Sequence, residues 1–107
     1  MYKLAFFVPA DHKEAVKQAI FATGAGRIGN YDCCSWEVQG TGQFRALQGS
    51  NPFIGQQGVI EIVPEYRVEL VCEDHLITAA VAALRAAHPY EEPAFDVWKL
   101  ESVPLRQ

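Results

Sequence analysis

The sequence predicts an α+β fold, with four strands in one antiparallel sheet and two helices on a single face. Two observations carry this. Strand, helix and strand periodicities follow one another twice, from Lys3 to Val38 and again from Val59 to Leu100. All eight glycines lie between Gly24 and Gly58, which places the irregular backbone around the middle of the chain.

Lys3 to Val8 reads as a strand, aromatic or β-branched at several positions and closed by Pro9. Asp11 follows as a helix cap, with Glu14 where a capping box places its acid. Val16, Ala19, Ile20 and Thr23 recur at helical spacing, and Gly24 stands where a left-handed C-cap belongs. Asn30 to Val38 resumes as a strand, which would turn the adjacent Cys33 and Cys34 to opposite faces.

From Gly40 to Gly58 the chain is expected to make an extended, glycine-rich excursion, with Gln43 to Leu47 as a short strand inside it. Val59 to Cys72 reads as a long strand that Pro64 marks as an edge, a bulge or a strand start. Asp74 opens the second helix, whose stripe is Ile77, Ala80, Val81, Leu84 and Ala87, and Pro89 stops it. Ala94 to Leu100 is the last strand, and a tail follows Glu101. Two split β-α-β units in this order make a ferredoxin-like βαββαβ sandwich. Its second sheet face lacks a cover, and a further copy of the chain is an economical one.

The 107 residues correspond to one domain, spanning 1–107. Half the residues are apolar, and the net charge of −4 leaves no global basic footprint for nucleic acid. No apolar run reaches the about 20 residues of a membrane span. The N-terminal run reads as a strand and not as a signal peptide, so the expected compartment is the cytoplasm. Three cysteines with no C-x-x-C argue against both a disulfide framework and a zinc ribbon.

Two motifs invite chemistry. Gly24-Ala25-Gly26-Arg27-Ile28-Gly29 spells G-x-G-x-x-G, but a helix precedes it and a strand follows. A pyrophosphate would meet the negative helix end, so the dinucleotide reading fails. His88-Pro89-Tyr90-Glu91-Glu92-Pro93 joins the second helix to the last strand. An imidazole beside two carboxylates suits a divalent transition metal such as copper or zinc, with His88, Glu91 and Glu92 as ligands. The bland alternative has His88 capping helix carbonyls while the acids pair with Arg67 or face water. Glu65-Tyr66-Arg67-Val68-Glu69 alternates charge along a strand. No G-x-S-x-G, H-E-x-x-H or Walker loop is present.

GAGRIGNYDCCSWEVQGTGQF, EYRVE and HPYEEPAFDV together resemble the insertion domain of the YqfO-type, NIF-three-like proteins, nearly end to end. HPYEEP is also similar to the helix-to-strand junction of CutA, and the fold resembles CutA and PII proteins. The matching positions are Gly26, Gly29, Asn30, Tyr31, Cys34, Gly40, Gly42, Phe44, Arg67, Glu69, His88, Tyr90, Glu91 and Glu92. Ala46 stands where the family pattern has a proline.

The resemblance implies a homo-oligomer, a trimer or a multiple of one. It implies a non-enzymatic regulatory or interaction module whose long loop meets a protein partner, with no role for nucleic acid or membrane. Divalent-cation binding or tolerance is the second reading. A hydrolase of the full-length YqfO type is the third, and it needs flanking metal-site portions that this sequence does not contain.

Overall fold

The computed structural model describes residues 1–103. The chain runs β1 (Tyr2–Val8), α1 (Ala10–Phe21), β2 (Trp36–Arg45), β3 (Ile60–Cys72), a 3-10 turn (Asp74–Leu76), α2 (Ile77–Ala87) and β4 (Phe95–Lys99). The tail expected after Glu101 continues into residues 104–107, which lie outside the described residues. The strands form one sheet in the order β2-β3-β1-β4, every neighbour antiparallel. This is the ferredoxin-like arrangement that the order of periodicities predicts.

Side chains alternate across β1, and that alternation divides the molecule. Leu4, Phe6 and Val8 face the helices and pack with Val68, Leu70 and Cys72 of β3. The helices return Val16, Ile20, Ala80 and Leu84 to the same cluster. Phe6, Leu4, Ile20 and Leu84 are fully buried, each worth roughly 1.5–3 kcal/mol of transfer free energy. α1 is also tied to the start of β2, because Lys13 and Lys17 both donate to the Glu37 carboxylate, Lys17 at 2.9 Å. Those two ammonium groups hold the Glu37 carboxyl below its ordinary pKa.

Four boundaries differ from the sequence expectation. α1 starts at Ala10, with Pro9 in extended conformation as its N-cap and no side-chain cap. Asp11 therefore lies in the first turn, and Glu14 pairs with Lys17 in place of a capping box. Asp74 opens a 3-10 turn before α2 and makes no side-chain cap. The Lys99 ammonium takes its carboxylate and holds the pKa down at about 2.

The second strand begins at Trp36, six residues later than Asn30. Ile28 and Tyr31 exchange backbone hydrogen bonds across a tight turn, and Cys33 has φ 54°, which an extended strand does not allow. Cys33 and Cys34 consequently do not alternate across a sheet.

The first part of the expected excursion, residues 40–45, is sheet. β2 pairs with β3 residue for residue from Trp36↔Glu69 to Arg45↔Ile60, so the irregular segment shrinks to residues 46–59. Of the short strand expected over Gln43–Leu47, residues 43–45 are the end of β2 and Leu47 lies beyond it. Ala46 closes the loop, its carbonyl accepting from the Gly58 N–H at 2.8 Å. Pairing with β1 ends at Tyr66, so Pro64 sits where β3 has a free edge. The projecting arm stretches the molecule to 57 × 23 × 22 Å.

Gly26 anchors the α1–β2 connection. At φ +83° its N–H reaches the Val71 carbonyl at 2.8 Å, and its own carbonyl accepts from the Cys34 N–H at 2.8 Å. An added Cβ would lie 2.7 Å from the Phe21 ring. Gly26→Ala should therefore lower unfolding free energy by about 2 kcal/mol or more, from left-handed strain plus the clash. Urea denaturation of the two proteins measures this.

Candidate functional site

Two surfaces gather the candidate residues. The first is the sheet face away from the helices. Register places Lys3, Ala5 and Phe7 of β1 on it, with Arg67 and Glu69 of β3, Trp36 and Val38 of β2, and Trp98 of β4. Trp36 is 58% exposed, Val38 45% and Trp98 44%. Glu69 bridges Arg67 at 3.3 Å and Lys3 at 3.6 Å, and the Arg67 guanidinium lies 6.0 Å from the Trp98 ring centre. This face is a ring of apolar side chains around a compact charge cluster. Such a patch is typical of a protein contact.

The second surface is the junction after α2. Pro89 keeps His88 extended, as the residue before a proline prefers, and the imidazole turns into the protein, where it is 6% exposed. Its Nε2 lies 2.6 Å from the Phe7 carbonyl and its Nδ1 lies 3.1 Å from the Tyr90 N–H. A carbonyl only accepts and an amide only donates, so the ring is neutral, with its proton on Nε2. Burial pushes the His88 pKa down, against the opposing pull of the Phe7 carbonyl and the Glu65 charge.

Tyr90 follows, its hydroxyl donating to Glu65 Oε2 at 2.9 Å. Burial first, and then that carboxylate, push the phenol's pKa well up. Phe44 and Phe53 each lie 6.3 Å from the Tyr90 ring, and Phe53 meets His12 edge-on at 5.4 Å. Glu91 accepts from the Asn51 N–H at 3.1 Å, which ties the 46–59 loop back to the junction. Between arm, loop and junction lies a cavity of about 500 Å³.

The structure brings Gly42, Phe44, Tyr90, Glu91 and Glu92 together around this cavity. It sets Arg67 and Glu69 on the bare face, and Gly26, Gly29, Asn30, Tyr31 and Cys34 in the α1–β2 connection. Gly40 lies in the paired part of β2, opposite Glu65. His88, Glu91 and Glu92 do not converge: both imidazole nitrogens are engaged, and Glu91 serves the loop. Among the described residues no three His, Cys, Asp or Glu side chains are grouped to hold a metal ion. The His88 imidazole caps no helix carbonyl, since its partner is Phe7 of β1; it is the His88 backbone N–H that closes α2, on the Leu84 carbonyl at 2.9 Å.

Glu65 and Phe53 are the site residues that sequence reasoning missed. Glu65 was visible only as the start of the EYRVE charge run. Phe53, inside the turn-rich loop, carries no local signal of its aromatic partners.

Comparison with known proteins then places the chain. No family model matches it. It is 50% identical over 103 residues to the GTP cyclohydrolase 1 type 2 homolog of Mycobacterium tuberculosis, covering 96% of this chain and 27% of that protein. The protein of the same description from Bacillus subtilis is 41% identical over 105 residues, 98% of this chain and 28% of the relative. A Bacillus cereus protein related to NIF3 superposes with TM-score 0.81 at 39% identity, over 94% of this chain and 26% of that one. The chain is homologous to one segment of the NIF3-related proteins.

The chain spans only about a quarter of the length of the curated relatives it matches. CutA1 from Pyrococcus horikoshii shares the fold, with TM-score 0.69 at 16% identity, over 97% of this chain and 87% of that chain. The fold that the sequence suggested is found, and so is the similarity to one segment of NIF3-related proteins.

The neutral, buried His88 makes stability depend on pH. The unfolded chain, with an imidazole pKa near about 6.5, binds a proton more readily than the folded protein does. His88's contribution is therefore complete above that value and declines as pH falls through the lower folded value. His88→Ala should cost about 2–3 kcal/mol at neutral pH, through two lost buried hydrogen bonds. Urea unfolding between about pH 7 and 5 should show a smaller pH slope in the variant than in the parent.

Proposed function

We propose that this NIF3-related segment is a non-catalytic, self-associating interaction module. It assembles as a trimer through the bare sheet face, and its long arm and 46–59 loop meet a protein partner. The observation that carries the reading is the half-covered sheet: α1 and α2 seal one face, while Trp36, Val38 and Trp98 stand exposed on the other. Apolar side chains of that size in one patch gain most by being covered. The charge cluster of Lys3, Glu69 and Arg67 at its centre would fix the register of a partner copy.

The hydrolytic activity suggested by the name of the curated relatives belongs to proteins of which this chain matches 27–28%. It is not needed to account for either surface. The divalent-cation reading would require His88 to release the Phe7 carbonyl or the Tyr90 amide. No helix among the described residues is long and apolar enough to cross a membrane.

Native mass spectrometry at micromolar concentration tests the reading. The parent should appear as a trimer, and Trp36→Glu/Trp98→Glu as a folded monomer, because the new carboxylates would be buried without partners. A monomeric parent, or a variant that assembles like the parent, contradicts it.

A further inference from the structure

The cavity beneath the arm adjoins the bare sheet face, with Phe7 common to both. At about 500 Å³ it is the size of a small-molecule site. Phe44 comes from β2, Phe53 and Ile54 from the loop, and Tyr90 from the junction, so the walls are largely rings and aliphatic carbon. Its charged lining residues are Glu65, Glu91, Glu92 and Arg45.

Glu65 is the carboxylate built into the wall. An added Cβ at Gly42 would fall 2.0 Å from Glu65 Oε1, so the glycine is what lets this side chain lie across β2. The Tyr90 hydroxyl fixes Oε2, and the raised phenol pKa keeps that donor protonated. Oε1 makes no hydrogen bond among the described residues. A carboxylate held among aromatic faces suits an ammonium group: the carboxylate meets the charge, and the π faces meet its flanks. Three carboxylates against a single guanidinium oppose phosphate or carboxylate ligands.

We propose that this cavity binds a small organic cation, an amine carrying an aromatic or short aliphatic body, with Glu65 meeting the charge and Phe44, Phe53 and Tyr90 enclosing the body.

Isothermal titration of the full chain with phenethylamine, 2-phenylethanol and phenylacetate tests it. The amine should bind saturably, the isosteric alcohol roughly tenfold or more weakly, and the acid not at all. Glu65→Gln should erase the difference between amine and alcohol. Phe53→Ala, on the loop and outside the core, should weaken both, and an unchanged thermal transition shows each variant folded. Failure of phenethylamine to saturate, equal binding of amine and alcohol by the parent, or an unaffected Glu65→Gln would overturn the proposal.

Discussion

The constraint on which the rest of this structure depends is that two short helices have one sheet face to cover. α1 has 12 residues and α2 has 11, and their apolar stripes are used up against Leu4, Phe6, Val8, Val68 and Leu70. Among the described residues, no layer lies on the opposite side of the same strands. β1 is one of the two central strands, and its alternation shows both outcomes: Leu4 and Phe6 build the core, while Lys3 and Phe7 supply the bare face. The proposed self-association rests on this geometry, because large exposed apolar groups on one flat surface gain from a matching surface.

The His88 junction governs the second surface. By bonding the Phe7 carbonyl, the imidazole fastens the end of α2 to the end of β1. Tyr90 and Glu91 are then placed where the arm passes, and they hold Glu65 and the loop through Asn51. A residue that resembles a metal ligand in isolation is here a buried clasp. Its two ring nitrogens meet the Phe7 carbonyl and the Tyr90 amide, and the aromatic cavity lies beside the junction it pins.

Much of this was legible from residue spacing. The helical stripes, the stop at Pro89 and the left-handed turn at Gly24 follow from local rules, and Gly24 indeed has φ +97°. What escaped were features decided by distant partners. Gly40 and Gly42 read as loop residues because glycine lowers strand propensity, yet β3 pairs with them through the ladder, and Gly42 is needed for Glu65. Asp74 read as a cap, but Lys99, 25 residues away, claims it. The polar alternation from Asn30 to Ser35 imitated a strand, whereas the positive φ of Cys33 leaves no mark in the sequence. His88 and Tyr90 were picked out correctly as a junction, but their partners Phe7 and Glu65 come from other strands.

The two tryptophans of the chain both lie on the bare face, so intrinsic fluorescence reports directly on whether that face is covered. The account predicts blue-shifted emission, protected from acrylamide quenching, at concentrations where the protein is assembled. Dilution should shift it to a red, readily quenched emission. Water-exposed emission at every concentration would contradict the claim that the half-covered sheet is the assembly surface.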